Sequence, residues 1–379
     1  MDAFESFPEQ AEAKRLLRAA LAEGPAHAYL FHGPPGVGKR AAALAFAAQL
    51  IGGSKAAAQT EPARPESGAA EATPFARVQR GAHPDVYVLE PVGDQIRIDD
   101  IRELRRDLHM RPFEAERRVY LVHAAETMNE DAADALLKDL EEPPPYAVIV
   151  LVADDLGPLP ETIRSRCQLV PFTRLSERAV REEIAARAPG LEPAEAATLA
   201  RLAAGRLDRA ARLLDPKSAK RRDALLEVAR AVYADPDFDA HDAAQRILDG
   251  ARERAADAKD AAEEELALLD LPAREAEQRV RRAARGAERD ELLAALEELA
   301  SWYRDLVVTA VGAERAVIHA DRLPVLAEDG TTERLAGAER SCEIVRETWR
   351  AFEEFNLSPP LALEALFVRL RRETLVQGL

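Results

Sequence analysis

A chain of 379 residues is longer than a single hydrophobic core usually supports, so its length predicts more than one domain. Its formal net charge of −16 argues against a free-standing DNA-binding protein, because any contact with DNA would have to be local or made through partners. The start of the chain lacks a secretory pattern, and its longest apolar run, residues 146–153, is too short to span a bilayer. We therefore expect a cytoplasmic protein without membrane contact.

The first half of the chain alternates apolar strands with helices. After a helix that closes near Gly24, the sequence predicts strands at 27–33, 83–91, 117–124 and 146–153, separated by helices at 39–53, 98–110 and 129–140. The unbroken apolar run of the last strand, YAVIVLVA, is typical of a central parallel strand that is covered on both faces. This alternation predicts an α/β domain with an open parallel sheet.

Composition divides the chain into three parts. We predict an α/β domain over 1–173, a small helical segment over 174–216 and an all-α domain over 217–379. Residues 54–80 show no period and are rich in Ala, Pro, Glu and Ser, which predicts a mobile surface loop. Residues 251–290 carry dense charges of both signs, which favours a solvated helical arm over a surface that binds a partner.

Residues 33–40, GPPGVGKR, match a phosphate-binding loop as far as the lysine. Gly33, Gly36 and Gly38 allow the backbone N–H groups to point at phosphate oxygens, and Lys39 adds a positive charge for the β- and γ-phosphates. The loop also lies between a predicted strand and a predicted helix, as such loops require. The next residue, which should be a magnesium-binding Ser or Thr, is Arg40. Whether Arg40 occupies the metal position or extends into solvent, the magnesium site is weakened.

The carboxylates that hydrolysis needs are also missing from the expected strand. One should hold magnesium and one should polarise the attacking water, at the end of an apolar strand. In the matching segment, RVYLVHAAE, His123 and Ala124 occupy these positions and can do neither. Glu126 is interpreted as the solvent-facing start of the next segment.

Four segments together resemble one family. They are HAYLFHGPPGVGK, GAHPDVYVLEP, MRPFEAERRVYLVHAAETMNEDAADALLKDLEEPP and IRSRCQLVPF. In order and spacing they are similar to the delta-prime subunits of the bacterial DNA polymerase III clamp loader, in the AAA+ superfamily. The resemblance is strong over residues 1–175 and weaker beyond, through SWYRDLVV at 301–308. It implies an AAA+ P-loop domain, a helical lid and an all-α collar through which subunits associate.

The resemblance further implies a role in DNA replication. Such a subunit works in a hetero-pentamer with gamma/tau-type and delta-type subunits that opens a sliding clamp and places it on primed DNA. Delta-prime subunits typically act as a stator, whereas gamma/tau-type subunits hydrolyse ATP. Active relatives carry a lid arginine in a G-x-x-R pattern, and here Asp208 stands at that position between Arg206 and Arg209.

These departures predict that the chain has no intrinsic ATPase or polymerase activity. We expect no required cofactor, although ATP or ADP could bind without hydrolysis. The alternative is an active AAA+ ATPase of the gamma/tau type that binds ATP through Lys39.

The resemblance also gives Arg166 a role in trans. In the family, the arginine of a Ser-Arg-Cys tripeptide, here Ser165-Arg166-Cys167, reaches the ATP of the neighbouring subunit as an arginine finger. Arg164 is the rival for this role, and an ordinary surface arginine is the alternative. Cys167 is expected to be a packed apolar side chain.

Relatives commonly bind a structural zinc through cysteines between the loop helix and the HPD strand. Residues 51–82 contain no cysteine, and His83 alone cannot complete a tetrahedral site. We therefore predict no zinc and no other bound metal.

Overall fold

The computed structural model describes residues 4, 7–52, 74–91, 95–267, 273–354 and 357–375. The chain forms two compact units, the first comprising 1–187 with 205–209 and the second comprising 188–204 with 210–379. The three-part division made from the sequence stays a prediction. No helix in the described ranges combines the length and the apolar character needed to cross a bilayer.

The first unit contains a parallel sheet of five strands in the order β2-β3-β4-β1-β5. The strands are β1 Ala28–His32, β2 Val86–Leu89, β3 Arg118–Val122, β4 Ala147–Ala153 and β5 Gln168–Pro171. The helices of this unit are α1 Ala11–Glu23, α2 Lys39–Gly52, α3 Pro74–Gln79, α4 Ile98–Leu108, α5 Glu130–Glu141, α6 Glu161–Arg164 and α7 Glu177–Arg187. The predicted parallel α/β domain is confirmed, and β5 adds an edge strand that the sequence did not predict.

The loop predicted over 54–80 is wrong for its last part. Helix α3 occupies Pro74–Gln79, where the buried side chain of Val78 packs against the core on the α2 face of the sheet. The burial of one apolar side chain, Val78, therefore favours a helix here, although the local sequence shows no helical periodicity. Residues 54–73 lie outside the described residues.

Successive side chains along each strand point to opposite faces of the sheet, and each face carries its own hydrophobic core. Tyr29 and Phe31 of β1 pack beside Phe46 of α2, with the Tyr29 and Phe46 rings edge to face at 5.0 Å. Leu30 points to the other face and joins Leu136 of α5. Every residue of β4 is buried, which confirms it as the central strand.

Parallel pairing brings the carboxyl ends of three strands to one edge of the sheet. His32 of β1 lies opposite Ala153 of β4, and Val122 of β3 lies opposite Leu151 of β4. The segments that follow these strands therefore emerge side by side, which is where ligand sites of open α/β sheets form. They are the loop 33–38, the turn after β3 and the turn after β4.

Helix α5 ends close to the Ser-Arg-Cys tripeptide. It begins after Asn129, whose side chain accepts a hydrogen bond of 3.0 Å from the Ala132 N–H. It ends at Glu141, before the prolines of EEPPP. The sequence predicted both ends to within a residue.

The regular secondary structure in the described residues of the second unit consists of helices. Its helices are α8 Pro193–Leu202, α10 Pro216–Ala234, α11 Ala240–Leu266, α12 Ala273–Ala310, α13 Leu323–Asp329, α14 Leu335–Glu354 and α15 Pro359–Leu375, while α9 Leu207–Leu214 begins in the first unit and ends in the second. The predicted all-α character of the C-terminal part is confirmed for these residues.

A buried ion cluster lies inside the second unit. His319 Nδ1 is 2.8 Å from Asp305 Oδ2, and His319 Nε2 is 2.9 Å from Glu298 Oε2. Arg222 Nε is 3.8 Å from the same Glu298 oxygen. Burial lowers the pKa of His319, but the hydrogen bonds to the two carboxylates outweigh burial and raise it above its ordinary value. His319 therefore stays protonated to a higher pH than a free imidazole does, between two acidic side chains.

Replacing His319 with alanine should destabilise the second unit by about 3–5 kcal/mol, because two buried carboxylates lose their shared cation. The folded pKa is raised, so this contribution is fully present below the unfolded pKa of about 6.5 and is lost as pH rises through the folded value. Urea unfolding followed by tryptophan fluorescence measures the loss, since Trp302 and Trp349, the only two tryptophans, belong to this unit.

His241→Ala is the matched control, because the His241 side chain is exposed and its contact with Glu364, at 3.1 Å, lies at the surface. We expect that change to cost less than about 1 kcal/mol. Equal losses in both variants, or a loss from His319→Ala that grows as pH rises, would contradict the assignment.

Candidate nucleotide site and the Ser-Arg-Cys arginine

The glycine loop connects β1 to α2 in a conformation that needs its glycines. The φ angles of Gly33, Gly36 and Gly38 are 140°, 69° and 96°, in the range that side chains with a Cβ rarely adopt. A Cβ on Gly33 would also lie 2.1 Å from the backbone oxygen of Phe172, just beyond β5. The loop thus requires glycine at these positions, and the pairing of β1 with β5 holds it close to β5.

Lys39 is the first residue of α2, and its side chain is only 4% exposed. Its Nζ donates hydrogen bonds to Gly33 O at 2.6 Å and to Pro34 O at 2.5 Å. Nζ also lies 2.6 Å from Asp154 Oδ1, in the turn that follows β4. An ammonium has three N–H donors, so these contacts account for all of them.

Asp208 lies against the other side of the loop. The Leu207 N–H donates to Gly36 O at 2.7 Å, which ties this segment to the turn. A Cβ on Gly36 would come within 1.8 Å of Asp208 Oδ1. Arg206 holds the Asp208 carboxylate through both of its oxygens, at 3.1 Å from Nε and 2.6 Å from Nη2.

Arg40 points away from the loop. Its side chain is 64% exposed, and Nη2 lies 2.5 Å from Glu90 Oε1, just after β2. His123, at the end of β3, is buried, and burial together with the charge of Arg40 lowers its pKa to about 3. The imidazole is therefore neutral at physiological pH and supplies no negative charge for a metal.

The solvent-facing position predicted for Glu126 is wrong. A short 3-10 turn, Ala125–Thr127, follows β3 after Ala124 adopts a left-handed φ of 50°. This turn folds Glu126 back towards the loop, where burial and the neighbouring charge of Asp154 raise its pKa to about 7. Backbone hydrogen bonds and the charge of Lys39 lower the pKa of Glu126, but the effect of burial is larger and the pKa stays raised.

Arg166 lies between α6 and β5 and contacts the end of α5. Its Nη1 donates to Thr162 O at 2.9 Å, and its Nη2 forms an ion pair with Glu141. The Arg166 side chain is 34% exposed. Arg164 is partly buried, with its Nε enclosed by protein. Cys167 packs against the α5 face of the sheet, and burial raises the pKa of its thiol to about 12, so it is an inert packed side chain as expected.

The candidate zinc ligand His83 has a structural role. Its Nδ1 accepts a hydrogen bond of 3.1 Å from the Asp85 N–H, and its Nε2 lies 3.2 Å from Glu114 Oε1. Within the ranges that the structure describes, no three His, Cys, Asp or Glu side chains are grouped as metal ligands would be. Because 53–73 lies outside those ranges, the absence of zinc stays a prediction.

Two contacts of the site were not found from the sequence. They join Asp154 to Lys39 and Glu141 to Arg166. A signal for Asp154 was available, since an acidic residue directly after a central parallel strand must emerge at the same edge as the loop. Glu141 had no such signal, because its contact joins residues 25 positions apart.

The model of a protein family described as DNA polymerase III, delta subunit, matches residues 9–176, which is less than half of the chain. This range contains the glycine loop, the turns after β3 and β4, and the Ser-Arg-Cys tripeptide.

Curated relatives match over the same part of the chain. The DNA polymerase III subunit delta' of Pseudomonas aeruginosa is 41% identical over 175 residues, 45% of this chain and 50% of that protein. Subunit delta' of Bacillus subtilis is 32% identical over 161 residues, 42% of this chain and 45% of that protein. Subunit tau of the same organism is 32% identical over 167 residues, 44% of this chain and 28% of that protein. The chain thus spans about half the length of the delta' relatives it matches.

A solved structure of a DNA polymerase III gamma subunit-related protein from Thermotoga maritima covers 96% of this chain and 99% of its own, at 18% identity and a TM-score of 0.44.

Replacing Gly36 with alanine should destabilise the first unit, because φ at this position is 69° and the new Cβ would meet the Asp208 carboxylate. The left-handed backbone alone costs about 1–2 kcal/mol. Thermal unfolding measures the loss, and Gly52→Ala is the control, since that Cβ would meet nothing within 4 Å. Equal midpoints for both variants would show that the loop does not hold this conformation.

Residues 9–176 are therefore similar in sequence to the delta' subunits of DNA polymerase III, which is the resemblance that the four quoted segments predict.

Proposed function

We propose that this chain is a clamp-loader subunit of the delta-prime type that acts in DNA replication. It would assemble with gamma/tau-type and delta-type subunits into a hetero-pentamer that loads a sliding clamp onto primed DNA. The observation that carries this proposal is the family match over 9–176, together with 41% identity to a delta' subunit. The division into an AAA+ domain over 1–173, a lid over 174–216 and a collar over 217–379 belongs to the same proposal.

The chain would act as a stator rather than a motor. Sequence identity alone does not separate the two roles, since a tau subunit and a delta' subunit of the same organism are both 32% identical to this chain over the matched residues. The residues of the loop favour the stator: Arg40 pairs with Glu90, the end of β3 supplies a neutral imidazole from His123, and Lys39 is engaged by Asp154. Arg40 and Lys39 are cations and His123 is a neutral imidazole, so these three side chains supply neither an anionic ligand for magnesium nor a carboxylate that polarises water.

Arg166 would contribute to catalysis on the ATP of a neighbouring subunit. Its partly exposed guanidinium can reach a partner, while Thr162 O and Glu141 hold two of its nitrogens and set its orientation. A guanidinium carries five N–H donors, so a guanidinium held in this way can still bind phosphoryl oxygens in two-point fashion. Arg164 is less suited, because its Nε is enclosed by protein.

Replacing Arg166 with alanine should slow ATP hydrolysis by the reconstituted complex, by about 10³-fold for each site that an arginine finger serves. The measurement is steady-state ATPase of a complex rebuilt with the gamma/tau-type and delta-type subunits, sliding clamp and primed DNA. Assembly, followed by size exclusion, should be unchanged.

Arg178→Ala is the matched control, since Arg178 is 74% exposed on α7 and should leave the rate unchanged. Arg166→Lys should not restore the rate, because a lysine cannot bind two oxygens in a planar fork. A wild-type rate in the assembled Arg166→Ala complex would remove the finger assignment.

The purified chain alone should show no ATP hydrolysis above background. Lys39→Ala should leave the ATPase of the complex unchanged, whereas the matching lysine change in the gamma/tau-type subunit should abolish it. Hydrolysis by the isolated chain that Lys39→Ala removes would instead favour the active ATPase. Binding of primed DNA by the isolated chain would favour a free-standing DNA-binding protein.

A further inference from the structure

We propose that Asp154 is an internal substitute for phosphate on Lys39, and that it keeps the glycine loop closed to nucleotide. The inference concerns this chain's own loop and does not depend on the proposed role in clamp loading. It rests on the contacts of Lys39, on the segment that covers Gly36 and on the way the sheet positions Asp154.

The ammonium of Lys39 is bound as a phosphate would bind it. A carboxylate oxygen of Asp154 lies 2.6 Å from Nζ, in the distance range of a charge-assisted hydrogen bond. The other two contacts of Nζ, to Gly33 O and Pro34 O, bend the side chain back over the loop. The Lys39 side chain is 4% exposed and that of Asp154 is 49% exposed, so water reaches this pair only from the carboxylate side. A nucleotide must displace Asp154 before it can use the lysine.

A second carboxylate closes the Gly36 turn. Asp208 lies so near Gly36 that even a Cβ on that glycine would overlap its Oδ1. The bond from the Leu207 N–H to Gly36 O and the two bonds from Arg206 keep Asp208 there. An anion approaching this turn would meet a negative group already in place.

Glu126 also opposes the binding of a phosphate group at the glycine loop. Its carboxyl is near Asp154 and Lys39, and burial raises its pKa to about 7. At and above that pH it carries a growing negative charge beside the loop. The charge of a phosphate would then be opposed by Asp154, Asp208 and Glu126, while Arg206 is already committed to Asp208.

Asp154 is positioned by the sheet. It directly follows Ala153, which pairs with His32, the residue immediately before Gly33. The neighbouring Asp155 has a different partner, since its Oδ1 accepts a hydrogen bond of 2.9 Å from the Gly157 N–H. Asp154 and Asp155 therefore form a natural matched pair with the same chemistry, of which only Asp154 contacts the lysine.

The test is binding of ADP and of ATP to the full-length chain by titration calorimetry, with and without magnesium. Asp154→Asn keeps the shape of the side chain and removes its charge, and we expect it to tighten ADP binding about tenfold or more over the wild-type chain. Asp155→Asn should bind as the wild type does. The double variant Asp154→Asn with Lys39→Ala should lose this increase in ADP affinity, because the increase depends on the ammonium of Lys39.

Equal ADP affinity for the wild type, Asp154→Asn and Asp155→Asn would overturn the proposal, as would a gain that survives the loss of Lys39. Thermal unfolding of each variant shows whether it is folded. If Asp154→Asn does not fold, Asp154→Ser gives the same comparison. Neither result bears on clamp loading, which is tested by Arg166 in the reconstituted complex.

Discussion

The in-register parallel pairing of β1 with β4 is the constraint on which the candidate site depends. It places Ala153 opposite His32, so the residues that follow the two strands emerge together at one edge of the sheet. The glycine loop and Asp154 are brought into contact by this pairing and not by any local sequence signal. A shift of the register by one residue would turn the buried side chains of β4 to the wrong face and separate Asp154 from Lys39.

The pairing holds because both faces of the sheet are covered by apolar side chains. Aromatic rings such as Tyr29 and Phe46 fill the α2 face, and aliphatic side chains such as Leu136 fill the α5 face. Because the faces of the sheet are apolar, buried polar side chains at the carboxyl ends of its strands find their partners among one another. The Lys39 ammonium meets the Asp154 carboxylate, and Asp208 meets Arg206. The cations Lys39 and Arg206, which lie where a nucleotide would bind, are thus already paired with carboxylates of the same chain. This pairing fits a stator better than a motor.

Arg166 shows how a chain of the proposed stator type could still take part in ATP hydrolysis by a neighbouring subunit. Its guanidinium is held by α5 through Glu141 and by α6 through Thr162, two elements of the rigid sheet domain. An arginine positioned by a scaffold loses little side-chain entropy when it engages a phosphate. In the second unit, buried charges stabilise the fold: His319 pairs with Asp305 and Glu298 of α12, and Glu298 also lies near Arg222 of α10.

Local sequence was enough to predict the parallel α/β architecture, four of the strands, the glycine loop, His123 and Ala124 at the expected carboxylate positions, and the tripeptide around Arg166. These features follow from local periodicity and motif spacing, which short segments carry on their own. The edge strand β5, the helix at 74–79, the inward turn of Glu126 and the partners of Lys39 and Arg166 could be seen only in the folded chain. Each of these depends on contacts between segments distant along the chain, because burial and ion pairing are properties of the packed sheet and not of a window of residues.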